Sequence, residues 1–166
     1  MALERLWAPW RMEMIRSPRV SGCFLCQKPT EDRDEENYIL ERGRTCYCLL
    51  NLYPYNNGHL MVAPYRHTGD LTELSDEECT EMMTMAREWV RDLQAAACPQ
   101  GFNVGLNIGS AGGAGVADHL HLHIVPRWAG DTNFMTVFGE TRVVVQDLDQ
   151  TMRELARARR VRTART

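Results

Sequence analysis

The 166-residue chain contains no uninterrupted apolar run of the about 18 residues that a spanning helix needs, so no transmembrane segment is expected. Residues 1–18, MALERLWAPWRMEMIRSP, mix charges with aromatics and have no apolar h-region. A secretory signal is therefore not expected. Positive charge is not in excess either: the net charge is −3, which gives no global attraction for nucleic acid or an anionic membrane. There is no GK[ST] phosphate loop. No internal repeat and no compositional break marks a boundary, so one compact domain over 1–166 is expected, with an N-terminal arm (1–20) and a helical tail (149–166). Disulfides are not needed: a chain that is 44% apolar can bury a real core. Without an export signal, its cysteines read as reduced thiols of a cytoplasm, some of them binding metal.

What is present reads as an α+β pattern with a mostly antiparallel sheet. Residues 38–52, YILERGRTCYCLLNL, read as two strands about a turn at Gly43. The PYNNG turn leads into a strand over 59–64, HLMVAP. Residues 71–98 form the clearest helix, with Ser75 as cap, Glu78 three residues on, and Met82, Met85, Ala86, Trp89, Val90 and Leu93 at helical spacing. FNVGLNIG, 102–109, reads as a strand, and RVVVQDL, 142–148, as a last one. PTEDRDEEN after CFLC reads as a solvated loop. The basic run at the C-terminus reads as a solvated helix end, so no nucleic-acid partner is expected.

Histidine is scarce, yet three of the five histidines fall at His119, His121 and His123. A strand sends alternate side chains to one face, so these rings would line one side, and Leu120, Leu122 and Ile124 the core side. A helix would scatter them. The run 119–125 therefore reads as a strand with a histidine face. Imidazole titrates near neutrality and serves as base, acid or nucleophile. The preceding GSAGGAGVAD places Gly112, Gly113 and Gly115 where backbone N–H groups can approach phosphate oxygens, though a flexible connector is the plainer meaning of such a loop. Asparagines at strand ends, in NLYPYNNGH and NVGLN, can hold ribose hydroxyls or phosphate.

Cys23 and Cys26 form a two-residue-spaced thiolate pair that suits a tetrahedral zinc. Cys46 and Cys48, one residue apart on a strand, make a poorer knuckle. Cys79 and Cys98 read as ordinary buried residues of the long helix. The expected set is Cys23, Cys26, His67 and His119: a closed, structural Zn2+ site tying the N-terminal segment to the sheet.

The run His119-Leu120-His121-Leu122-His123-Ile124-Val125 resembles the signature of the histidine triad (HIT) family. Asn51-x-x-Pro54-x-x-x-Gly58-His59-x-x-Val62-x-Pro64 resembles the family's other block. LWAPWRMEMI and ADHLHLHIVPRWAGDTNF look like the bacterial branch of dinucleoside-tetraphosphate phosphorylases, or ATP adenylyltransferases. The resemblance implies a HIT-like fold: a five-stranded antiparallel sheet with one long helix and terminal helices, paired as a homodimer into ten strands. It implies nucleotidyl transfer with His121 as nucleophile, forming a covalent His121-AMP. His123 would contact the transferred phosphate or the leaving group, and His59 would support the triad's orientation. Asn51 matches a ribose-contacting position and Asn107 one near the phosphate. Trp128 and Arg127, just past the strand, would lie by the substrate, and Trp128 would equally serve core or interface.

Zinc-bearing relatives place ligands where Cys23, Cys26, His67 and His119 stand. One departure is Gly115-Val116-Ala117, where many family hydrolases carry a Gln and a hydroxyl that touch phosphate. Phosphorolysis of Ap4A by inorganic phosphate to ADP and ATP is the first reading. Hydrolysis of dinucleoside polyphosphates or nucleoside phosphoramidates is the second, and a non-catalytic nucleotide-binding module the third.

Overall fold

A computed structural model describes residues 22–131 and 146–164. Five strands form one sheet: β1 (Ile39–Arg42), β2 (Cys46–Leu50), β3 (Leu60–Pro64), β4 (Gly101–Leu106) and β5 (Leu122–Arg127). Their spatial order is β1-β2-β3-β5-β4, and every neighbouring pair is antiparallel. Among the described residues four α-helices accompany them: α1 (Phe24–Gln27), α2 (Asp34–Asn37), α3 (Asp76–Ala97) and α4 (Leu148–Thr163). The α+β class and the five-stranded antiparallel sheet are thus as the sequence implies.

The two-residue period of the strands divides the core. Cys46, Cys48, Leu50, Leu60, Val62, Leu122 and Ile124 pack under Met82, Met85, Ala86, Trp89 and Leu93 of α3. Tyr47, Leu49, Met61 and Ala63 face the other way and pack with Leu25 and Ile39. β2 is buried at every position, which is why CYCLL reads as an unbroken apolar run. On this second face Met61 pairs with His123. The apolar patch gives way to imidazoles there, and the site begins.

Several boundaries differ from expectation. The long helix starts at Asp76, not at 71, because Ser75 and Glu78 close a capping box (Glu78 N–H to Ser75 Oγ 3.2 Å, Ser75 N–H to Glu78 Oε2 2.8 Å). Leu71–Glu73 is a separate 3-10 turn under Asp70, whose Oδ1 accepts the Thr72 N–H at 2.8 Å. Cys98 ends the helix in a left-handed conformation (φ 46°) and is exposed, and Cys79 is half-buried, so neither is a core residue. The span 29–37, expected as a loop, is partly helical: a 3-10 turn over Lys28–Thr30 runs into it and α2 occupies Asp34–Asn37.

The histidine strand runs from Leu122 to Arg127, later than 119–125. Its β3 ladder reaches only Leu122 to Ile124, and Leu120 N–H goes instead to Thr68 O at 2.7 Å. Pro126 sits inside the strand opposite Phe102, past the last β3 partner, so it removes no ladder bond to β3. In the span 142–148, Gln146 and Asp147 are not strand and Leu148 begins α4. Residues 142–145 and the N-terminal arm lie outside the described residues.

α4 is clamped to α3 by charge. Asp92 is fully buried and accepts from Arg159 Nη1 (2.9 Å) and Arg162 Nε (2.5 Å). Trp89 Nε1–H donates to Glu41 at 2.7 Å, and Arg159 lies 4.8 Å over the Trp89 ring while pairing with Glu41.

Candidate active site and metal centre

His59, just ahead of β3, and His123, on β5, share a hydrogen bond of 2.9 Å between His59 Nε2 and His123 Nδ1. The bonding around them fixes where each proton sits. Tyr55 N–H donates to His59 Nδ1 at 3.0 Å, so that nitrogen carries a lone pair. Burial, then the nearby His123 and His121, push His59 down to about 3, so the ring is neutral and its one proton is on Nε2. That proton goes to His123 Nδ1. His123 is pushed down to about 4, by burial and then by His121. Its own proton is therefore on Nε2, 3.4 Å from the Asn107 side chain and directed into the adjoining cavity. The Asn107 atom nearest it is Nδ2, so the amide is assigned turned over, with its oxygen toward this N–H.

His121 is fixed differently. Its Nδ1 lies 2.8 Å from His119 O, and only an N–H at that atom can bond a carbonyl. The lone pair of the neutral ring is then on Nε2. Its centroid stands 4.8 Å from that of His123 at 71°. The pair thus presents one nucleophilic nitrogen beside one N–H donor, the complement of a phosphoryl group under attack.

Residues 67–69 lie against 117–120. A Cβ on Gly69 would meet Ala117 O at 2.3 Å, so only glycine allows this approach. It carries His67 to His119, with Nδ1 atoms 3.3 Å apart. Cys23 Sγ and Cys26 Sγ lie 3.3 and 3.4 Å from His119 Nδ1, and Cys26 Sγ 3.3 Å from His67 Nδ1. All four ligand atoms lie within 4.8 Å of one another. A tetrahedron on zinc bond lengths of about 2.0–2.3 Å has edges of about 3.3–3.8 Å, so the set fits the ion. Pro64 O, 2.9 Å from His119 Nε2, takes that N–H and leaves Nδ1 for a cation. Burial and the adjacent Cys23 push the Cys26 thiol up, a penalty that a dication reverses. His119 therefore joins both centres: its ring faces the cysteines and its carbonyl holds His121.

The sequence-identified residues are not all in one place. The Asn51 amide is occupied locally: its Nδ2 lies 3.3 Å from His59 Nδ1 and its Oδ1 accepts Tyr53 N–H at 2.9 Å. Gly112, Gly113 and Gly115 are exposed and do not line the cavity beside His123, and Gly113 N–H is spent on Ser110 O (3.1 Å). Trp128 turns away, its Nε1–H 3.3 Å from Ala97 O at the end of α3.

Tyr55 and Gly105 were not singled out from the sequence, whereas Asn103 (within NVGLN) and Arg127 were. Tyr55 holds His59 and packs its ring 4.7 Å from that of His59 and 5.6 Å from that of His123. Asn103 and Gly105 share a face of β4 and, with Asn107 just past its end, line a cavity of about 440 Å³ with His123 and Arg127. The period-two spacing of 103, 105 and 107 was a readable signal. Which residues supply the carbonyls was not, because any residue type has one; the family resemblance implies only that some backbone carbonyl holds the His121 ring.

Comparison with known proteins gives consistent likenesses. A sequence model of the HIT domain matches residues 33–130. The AP-4-A phosphorylase of Mycobacterium tuberculosis (strain ATCC 25618 / H37Rv) is 44% identical over 162 residues, covering 93% of this chain and 83% of that protein. The adenosine 5'-monophosphoramidase of Schizosaccharomyces pombe is 35% identical over 78 residues, 47% of this chain and 55% of that one. A Zn-bound histidine triad family protein from Mycobacterium smegmatis has a TM-score of 0.70 at 24% identity, over 88% of this chain and 98% of its own.

Proposed function

Since the chain belongs to the HIT-domain family, we propose that it is a nucleotidyl-transferring enzyme that phosphorolyses diadenosine tetraphosphate. His121 Nε2 attacks the phosphorus of one terminal AMP unit. The bond from that phosphorus to the bridging oxygen breaks, and its electron pair leaves with ATP. An oxygen of inorganic phosphate then attacks the His121-AMP phosphorus, giving ADP and restoring the ring. The sum is Ap4A plus phosphate to ADP plus ATP.

The observation that carries the reading is the pair of fixed tautomers. Nδ1–H of His121 bonded to His119 O leaves Nε2 as nucleophile, and the chain Tyr55 N–H, His59, His123 presents an N–H to the phosphoryl oxygens. His59 acts as a positioning residue, and Asn107 holds an oxygen of the transferred phosphate beside His123. Asn51 orients His59 and the loop at Tyr53. Similarity to the M. tuberculosis phosphorylase supports phosphate as acceptor.

Cys23, Cys26, His67 and His119 would hold Zn2+ with all four positions filled by protein, so the ion braces the fold and takes no substrate. Thiolate ligation suits a reducing, cytoplasmic compartment. None of the described helices is long and apolar enough to cross a membrane. The edge strand β4, with Val104 44% exposed, supports pairing with a second copy into a ten-stranded sheet. A single domain accounts for the described elements.

Incubation with Ap4A, with and without phosphate, followed by chromatography, tests the reaction. ADP plus ATP, formed only with phosphate, is expected. AMP plus ATP in both would instead establish the hydrolytic chemistry to which the likeness to the monophosphoramidase points.

A further inference from the structure

In-line displacement puts the attacking nitrogen and the leaving oxygen on opposite sides of phosphorus. His121 supplies the attack from one side. His123 stands next along β5, and the cavity of about 440 Å³ opens beyond it. From His123 that space follows β5 for four residues, about 13 Å at strand rise, to Arg127.

Its floor and far wall are built for an extended anion. Gly105 lies directly opposite His123, and a Cβ placed there meets nothing within 4 Å. The floor is therefore open where any side chain would stand in the channel. At the far end Arg127 is held rigidly: Nε and Nη2 donate to Asp131 (2.6 and 2.9 Å), and Nη1 to Asn103 Oδ1 (2.8 Å). Asp131 is further tied by Asn56 Nδ2 at 2.8 Å and Trp128 N–H at 3.2 Å.

A guanidinium has five N–H donors, and these bonds use three. Two remain on its outer edge. Asn103 accepts through oxygen, so both N–H bonds of its Nδ2 remain as well. Four donors on a fixed frame suit the oxygens of phosphates.

We propose that the cavity from His123 to Arg127 is the subsite for the departing nucleoside triphosphate. Its polyphosphate lies over Gly105 and its far phosphates rest on Asn103 Nδ2 and Arg127 Nη1 and Nη2. This rests on the adenylyl-transfer reading above.

Inorganic tripolyphosphate, the leaving chain without its nucleoside, is the probe. It should inhibit Ap4A consumption competitively. Its inhibition constant should rise at least about tenfold in Gly105→Leu, which fills the floor, and in Asn103→Asp, which replaces the amide donors with a carboxylate. Inhibition constants do not depend on how much of a variant folds. A wild-type chain that consumes Ap4A but shows no competition, or constants unchanged in both variants, overturns the subsite alone. A wild-type chain that does not consume Ap4A overturns the transfer reading and the subsite with it.

Discussion

A single backbone N–H, that of Tyr55, decides the protonation of two imidazoles in sequence. It occupies His59 Nδ1, which sends the His59 proton to His123 and the His123 proton toward Asn107 and the cavity. Both rings must stay neutral for this, and burial keeps them so. Stability pays for it in acid. An unfolded histidine titrates at about 6.5, whereas the folded values are about 3 and about 4. As pH falls below 6.5 the unfolded chain takes up protons that the folded one refuses, so stability is complete above 6.5 and declines toward 4. Urea midpoints measured from pH 7 to 5, above the range where most carboxylates titrate, should fall steadily, and less steeply in His59→Gln. A flat profile would contradict the neutral assignment. The alternation of HLHLHI disclosed that a histidine cluster exists. It did not disclose which nitrogen reacts, because the deciding partners are Tyr55 N–H, His119 O and Pro64 O.

Between elements, two contacts position the chemistry. The first is the approach of 67–69 to 117–120, which Gly69 permits. Gly69→Val forces the segments apart and separates His67 from His119. Zinc affinity, measured by competition with a chromophoric chelator, should fall about tenfold or more, and wild-type affinity would show that the approach is not needed. The second is the clamp of α4 on α3. Removing the buried Asp92 carboxylate leaves Arg159 with Glu41 alone and Arg162 with Glu88 alone. Asp92→Ala should cost about 1–3 kcal/mol in urea unfolding, and a loss below about 0.5 kcal/mol would make the clamp incidental. The elements themselves were readable because their periods are strong, above all in α3 with its Ser75–Glu78 box. The histidine strand was placed three residues early. Alternation continues through His119 and Leu120, but the ladder does not: Leu120 finds Thr68 where β3 would be needed. Tertiary partners set that boundary, and local pattern does not carry them.

Across the whole molecule, the proposed metal centre and the proposed nucleophile meet at His119, so loss of an ion there would reach the chemistry through the backbone. Chelation should lower the melting temperature, and restored zinc should recover both stability and turnover; a chelator without effect on melting would remove the ion from the fold. The exposed edge of β4 predicts a dimer by light scattering, and Val104→Lys should shift it toward monomer. The central claim is that the His121 ring itself carries the adenylyl group between donor and acceptor. Rapid quenching of the protein with Ap4A in the absence of phosphate, followed by peptide mass spectrometry, tests it most directly. AMP bound to the peptide containing His121, discharged as ADP when phosphate is added and absent from His121→Ala, is the predicted result. An adduct on another residue, or a His121→Ala protein that turns over at the wild-type rate, would contradict it.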